Sequence, residues 1–219
     1  APSQIVREMP EDPSFGIPGR RLDLADVIGG GNGFGTGTVT SAISPLTGRY
    51  VAPVESDRRG IHQYVLAPWN RYVDGVFVPD GTGPQTVSSA GHTFAECPIT
   101  NNIYYIDITN VGDAAVGRQM LSGHAYGSPD RPCILMHANL GITFDLAEIA
   151  SLNAGLRIER FRSAYGVSES ATDRPCNADV WVLVDGRVRF SRIGVKVKGI
   201  AGQIDVELAD ADRFLTLIT

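Results

Sequence analysis

His137 and Asn139 stand two residues apart in the stretch ILMHANLGITFDL, residues 134–146. Each carries donor and acceptor atoms side by side, the equipment that satisfies a polyhydroxylated ligand. Such a ligand also needs a flat apolar face to stack on. Trp69 and Tyr72, in the segment PWNRY beside a predicted turn, offer one. Plainer readings stand next to these. His137 could be a corner residue whose imidazole satisfies a neighbouring carbonyl, and asparagine is a turn former in its own right. Short motifs fix folds as often as they carry function, so both readings of the corner stay open. Trp181 lies among apolar neighbours on both sides and reads as core.

Reactive chemistry has less support. His62, His92, His124 and His137 are scattered, and none forms a spaced metal pair. Ser88-Ser89 and Ser122-Gly123-His124 lack the strand-turn-helix setting of an activated nucleophile. Asp107, Asp113, Asp145 and Glu169 supply carboxylates but no geometry for hydrolysis. The expectation is a chain that is not an enzyme. The glycine run at 29–37 invites a phosphate-binding reading, but no helix pattern follows it and the phosphate-loop lysine is missing. Cys97, Cys133 and Cys176 are odd in number and have no metal-ligand spacing. If one disulfide forms, Cys97 with Cys133 is the favoured pair; three buried or partly buried thiols is the competing reading.

The totals bound what surrounds these residues. At 219 residues and 43% hydrophobic content the chain is long enough for one large all-β domain or two small ones. A net charge of −5 argues against a nucleic-acid partner, which needs a basic face. No apolar run approaches the length of a membrane span.

The elements that must position the candidates are short and β-like. Residues 1–20, with Pro2, Pro10, Pro13 and Pro18, read as an extended leader or linker. Residues 22–28 read as a strand. Strands are expected at 63–68, 72–78, 85–88 and 103–108, punctuated by Asp74-Gly75, Asp80-Gly81 and Gly83-Pro84. Residues 112–132 read as loop. The central stretch reads as strand, corner and strand, with apolar runs at 134–136 and 142–144. One helical turn is expected within 146–154. A long strand follows at 156–167, with a parity switch between Ile158 and Phe161 that predicts a bulge. Residues 179–190 are the clearest hairpin, turning at Asp185-Gly186. Ile204, Val206 and Leu208 alternate, and 214–218 make a last strand. No segment sustains a helical period. The fold class is therefore all-β, an antiparallel sandwich or barrel.

Several motifs, in order, resemble the NPCBM family, a carbohydrate-binding module with a galactose-binding-like jelly-roll fold. Asn32-Gly33-Phe34-Gly35 resembles its Asn-Gly-Trp-Gly loop, with Phe34 in place of the tryptophan. His137-Ala138-Asn139 resembles its His-Ala-Asn corner. Residues 160–167, RFRSAYGV, resemble its Phe-x-x-x-x-Gly-Val strand, and 180–190 its Asp-Gly hairpin. Residues 73–80, VDGVFVPD, resemble an insertion in a secreted bacterial subgroup linked to FecR-type regulators. The resemblance implies an antiparallel jelly-roll sandwich over 21–219, with a large insertion at about 44–125 and a further Asp-rich strand beyond Thr219. It also implies a secreted, periplasmic or cell-surface location and a glycan partner. Such sandwiches often carry structural calcium, for which Asp23, Asp26 and Asn32 offer hard oxygen ligands beside a solvated-loop alternative. Three departures qualify the match: Ser168-Glu169-Ser170 follows Gly166-Val167 where the family is usually acidic, Phe34 replaces tryptophan, and the family's final Asp-rich segment and last strand are not found after Thr219.

Two functional expectations follow, beside a third, a hydrolase, which would need two carboxylates facing each other across a cleft. One is a non-catalytic carbohydrate-binding module whose ligand contacts are His137, Asn139, Trp69 and Tyr72. The other is a structural or protein-interaction domain of an envelope sensor, with the insertion covering the usual binding face.

Overall fold

The computed structural model describes residues 20–38, 41–110, 119–128, 131–155, 157–171 and 175–219. The leader expected at 1–20 lies outside them except for Arg20.

The described chain opens with a short helix, α1 (Leu24–Ile28). A run of small strands follows: β1 (Ala42–Ile43), β2 (Tyr50–Val51), β3 (Glu55–Arg59), β4 (Val65–Leu66), β5 (Val73–Phe77), β6 (Gln85–Thr86), β7 (Thr93–Phe94), β8 (Ile103–Ile106) and β9 (Ile108–Thr109). Then come β10 (Gln119–Leu121), β11 (His124–Tyr126), β12 (Gly141–Asp145), α2 (Leu146–Leu152) and β13 (Arg160–Tyr165). The chain ends in β14 (Ala178–Val184), β15 (Arg187–Val195), β16 (Gly202–Glu207) and β17 (Phe214–Ile218).

The fold is all-β, an antiparallel sandwich of jelly-roll type. Its main sheet has six strands in the order β15-β14-β17-β12-β5-β4. Alternation decides which residues face which layer. Val182 and Val184 of β14, Ile142 and Phe144 of β12 and Leu215 of β17 point to one face. There they meet Tyr104, Ile108, Ile204 and Val206 from the opposing strands and Leu208 just past β16. Leu183, Ile218 and Phe77 point to the other face, where Val87 and Phe94 close over them. The sheet is thus covered on both sides. That explains why 180–184 is a continuous apolar run rather than an alternating one. Trp181 belongs to the second face and packs on Phe94, ring centroids 5.0 Å apart. Gly141 lies against the Phe77 ring, where any Cβ would collide with it.

The segment 44–125 is no appendage to this sheet. It supplies β4 and β5 to one side of it and the β6–β7 hairpin to its outer cover.

Several expectations are corrected. Residues 22–28 are not a strand: the Asp23 side chain accepts from the Ala25 amide at 2.9 Å and caps α1 instead. Of the apolar run 134–136, only Leu135 pairs, through an isolated bridge to Thr109. The 112–132 loop contains the β10–β11 hairpin, turned by Ser122 and Gly123, both at positive φ. The long strand at 156–167 is confined to β13, whose pairing with β16 runs unbroken from Arg160 to Tyr165, so the expected bulge is absent from it. No disulfide joins any two of the three cysteines. Cys97 packs in the outer cluster with Phe77 and Phe94, while Cys133 lies near Asp23, so the favoured pair is kept apart. Burial pushes the Cys97 thiol up to about 11 and the Cys133 thiol up to about 12.

The 179–190 hairpin forms as expected. Asp185 and Gly186 both take positive φ (49° and 76°), the two-residue turn that matches strand twist.

Candidate functional site

Strand β12 separates the candidate residues into two groups. It runs antiparallel to β5, with Gly141 opposite Phe77 and Phe144 opposite Val73. His137 and Asn139 therefore lie at the Gly141 end. Trp69 and Tyr72, which precede Val73, lie at the Asp145 end, a strand length of roughly 15 Å away.

At the first end the corner is tied to the chain terminus. The Asn139 and Leu140 amides donate to the Thr219 carbonyl, and the Thr219 hydroxyl donates to the His137 carbonyl at 2.6 Å. Asn139 sits at φ +66° and its side-chain amide donates to Asn101 Oδ1 (2.8 Å) and the Ile103 carbonyl (2.7 Å). Its amide group thus pins the 101–103 segment to the corner. His137 is exposed. Its Nδ1 lies 3.1 Å from the Ala138 carbonyl, and its ring is tilted against Tyr105 at 6.1 Å between centroids.

At the second end an open cleft of about 370 Å³ lies between the 66–74 segment and the start of α2. Leu66, Ala67 and Pro68 make an apolar wall; Asn70, Arg71, Asp74, Ser89, Asp145 and Glu148 line the rest. Trp69 stands between two of these lining residues, 64% exposed, with the Arg49 guanidinium over its ring at 5.4 Å. Tyr72 turns its ring toward the main core and accepts the Asp145 amide on its carbonyl.

The cleft is held by fixed polar groups. Asn70 is buried and works in four directions. Its amide donates to the Val27 carbonyl (2.8 Å) and the Tyr50 hydroxyl (2.7 Å), and its Oδ1 accepts from the Tyr72 (3.0 Å) and Val73 (3.3 Å) amides. Asp145 caps α2, its Oδ1 accepting from Ala147 and Glu148 amides, while Oδ2 takes Arg213 at 3.0 Å. That bond holds the Arg213 guanidinium above its ordinary range. Asp74 accepts from the Tyr64 hydroxyl and from Ser89 through both amide and hydroxyl. Burial, then the bond to Asp74, pushes the Tyr64 phenol well above its usual range, so it remains a donor. Arg71 approaches Glu148 at 3.7 Å in an exposed pair.

Residue-by-residue inspection of the sequence missed Asp74, Ser89, Asp145 and Glu148 as one wall. One signal was present: Asp145 followed three residues on by Glu148, ahead of apolar Ile149, is a helix-start pattern that fixes the direction of the Asp145 side chain.

The proposed calcium ligands do not fit a cation as arranged. Asp26 spends its oxygens on the Gly33 (2.7 Å) and Gly37 (2.6 Å) amides. Asn32 Oδ1 accepts from Phe34 and Thr36, and Asp23 caps α1. Amides close this loop where a cation would otherwise draw the oxygens together. Among the described residues no group of three His, Cys, Asp or Glu side chains is placed to hold a metal.

No protein-family model matches the chain, and no curated protein matches it. Among solved structures it is similar to CBM51 from Clostridium perfringens GH95 in complex with methyl-galactose, at 16% identity and a TM-score of 0.42, over 51% of this chain and 73% of that one. It is similar to the tandem CBM51 modules of Sp3GH98 from Streptococcus pneumoniae at 21% identity and a TM-score of 0.34, over 46% of this chain and 29% of that one. It is also similar to CBM51-2 in complex with GlcNAc and INT domains from Clostridium perfringens ZmpB, at 14% identity and a TM-score of 0.35, over 68% of this chain and 34% of that one.

Proposed function

We propose that the chain is a non-catalytic carbohydrate-binding domain of the NPCBM kind, working in a secreted, periplasmic or cell-surface protein, and that its glycan lies in the cleft beside Trp69. The observation that carries the reading is a cleft whose polar wall is held in fixed directions, with the exposed Trp69 between two of its lining residues, Pro68 and Asn70, in the chain. Pro68 and Leu66 in the cleft wall, and the exposed Trp69 next to Pro68, offer apolar surface for the C–H face of a pyranose. Ser89, Glu148 and the acceptor position left on Asp74 stand beside them to take its hydroxyls, Arg71 to donate, while Asp145, filled by two amides and Arg213, fixes the wall. Their directions are set before the ligand arrives, by α2 capping, by Tyr64 and by Asn70, which lowers the ordering cost of binding.

Binding without bond cleavage suits the same geometry. Hydrolysis uses two carboxyl groups that face each other across the scissile bond with protons to give and take. Asp74 and Asp145 both have their two oxygens engaged by protein donors. His137 and Tyr105, at the other end of β12, form a smaller exposed polar-aromatic pair and serve as the comparison position.

A glycan-array screen of the purified chain, with Trp69→Ala and His137→Ala variants, tests the reading. Selective binding lost in Trp69→Ala and kept in His137→Ala is expected. Binding lost only in His137→Ala would move the site to the corner, and a silent array from folded protein would remove the carbohydrate reading.

A further inference from the structure

The register of the main sheet gathers several loop tips at one end of the sandwich, opposite the cleft. Strands enter or leave there at Phe77, Gly141, Ala178, Val195 and Ile218. The turn at 60–62 joins them through the His62–Asp80 pair, and residues 99–100 through Thr100 Oγ1, which donates to the Pro79 carbonyl. Large aliphatic side chains stand on these tips with little cover. Ile99 is 89% exposed, Val197 64%, Ile200 59%, Ile193 57% and Ile61 44%. Single exposed aliphatics are ordinary, but here three fall in one segment, Ile193 near the end of β15 with Val197 and Ile200 beyond it, and Ile61 and Ile99 stand on two further loops, a pattern that folding alone does not call for.

The charge at this end differs from that of the chain. Residues 192–200, RIGVKVKGI, hold Arg192, Lys196 and Lys198 and no acid, in a protein of net charge −5. The chain's two lysines stand on either side of Val197. Arg192 and Lys196 are exposed, and Lys198 Nζ donates to the Ala171 carbonyl at 3.1 Å. Two carboxylates face the segment. Asp179 accepts from the Gly194 amide at 2.8 Å, and Glu169 packs against Gly199.

We propose that this end of the sandwich docks on an anionic lipid surface. Val197, Ile200, Ile193 and Ile99 reach the acyl boundary, and Arg192 and Lys196 lie on lipid phosphates. A protein partner selects a continuous, aromatic-rich apolar patch. Here the apolar groups are aliphatic, are divided between the 193–200 segment and the loops at 61 and 99, and in 192–200 are interleaved with cations, which a lipid interface accommodates because each loop enters alone and long basic side chains reach back to the headgroups. Addition of a partner strand to the edge strand β15 is disfavoured by its two register shifts against β14. Among the described residues no helix is long and apolar enough to cross a membrane, so contact is by side-chain depth. Docking in this way would leave the cleft facing away from the lipid.

Co-sedimentation of the whole chain with phosphatidylcholine vesicles, with and without phosphatidylglycerol, tests this. The expected result is pelleting with the anionic vesicles. Val197→Ser combined with Ile200→Ser should weaken it about tenfold or more, since both side chains leave the acyl boundary. Lys196→Gln should weaken it about fivefold at low salt. Trp69→Ala should leave it unchanged, which keeps this outcome separate from that of the glycan screen. No pelleting, or equal pelleting of wild type and the double variant, would overturn the proposal. So would self-association in solution that the double variant abolishes, because the face would then belong to a second copy.

Discussion

Replacing Asn70 by alanine should do more damage than any other single change on the cleft wall. The side chain is 7% exposed and makes four hydrogen bonds that tie α1, β2 and the start of β5 into one unit. Not every partner is orphaned by its loss. The Val27 carbonyl keeps the Gly30 amide, and the Val73 amide keeps the Asn70 backbone carbonyl. The Tyr72 amide has no such second backbone partner among the described residues. With a typical net value of about 1 kcal/mol per bond, discounted for the two retained partners, the cost comes to about 2–3 kcal/mol. At a urea slope of roughly 2 kcal/mol/M, the midpoint should fall by about 1 M. Asn70→Asp supplies a check on mechanism. It keeps the acceptors for Tyr72 and Val73 but turns a donor into an anion against the Val27 carbonyl, so it should cost at least as much as alanine. A loss below about 0.5 kcal/mol for Asn70→Ala, the level of an ordinary surface substitution, would refute the claim that this residue positions the cleft.

Other expectations follow from the same structure. Burial alone would raise the Asp80 carboxyl, but the Thr82 amide and hydroxyl and the neighbouring His62 outweigh it and hold the group below its ordinary 3.8. A depressed carboxyl contributes stability above its unfolded-state value and loses it as pH falls through the folded-state value. Asp80→Asn should therefore flatten the stability curve below about pH 4 and, because His62 is largely exposed, cost less than about 1 kcal/mol near neutrality. Thermal melts with added calcium and with EDTA should coincide within error, since amides close the Asp26 loop; a rise of several degrees with calcium would contradict that assignment. Cys97 and Cys133 should react with Ellman's reagent at pH 8 far more slowly than a free thiol, because burial keeps them protonated. Full labelling at the rate of a small thiol would mean that both sites open readily.

Legibility in the sequence followed locality. The 179–190 hairpin could be read because both signals it needs, an apolar run and an Asp-Gly turn, lie within a dozen residues. The last strand was legible for the same reason. α1 was misread because Leu22, Leu24, Val27 and Ile28 give an apolar density that suits strand and helix alike. What decides between them is the Asp23 cap, a bond of the side chain to a backbone amide two residues away. The β10–β11 hairpin was hidden because its strands are only three residues long and lie in a stretch punctuated by Gly117, Gly123, Gly127, Pro129 and Pro132. Trp69 could be picked out as an exposed aromatic from its turn-forming neighbours. The polar wall of the neighbouring cleft could not. Asp74, Ser89 and Asp145 come from β5, the loop after β6 and the end of β12, and only the antiparallel register of the sheet brings them together. His137 and Trp69 look equally suited to one site in the sequence, yet the direction of β12 sends them to opposite ends.

Titration calorimetry of the chain with the best ligand from the glycan screen, beside Trp69→Ala and His137→Ala, tests the central claim most directly. Loss of a stacked aromatic face should weaken binding by about 1–2 kcal/mol, roughly a five- to thirtyfold rise in Kd. The account predicts that weakening for Trp69→Ala and an unchanged Kd for His137→Ala. An unchanged Kd for Trp69→Ala, with both variants folded, would contradict it.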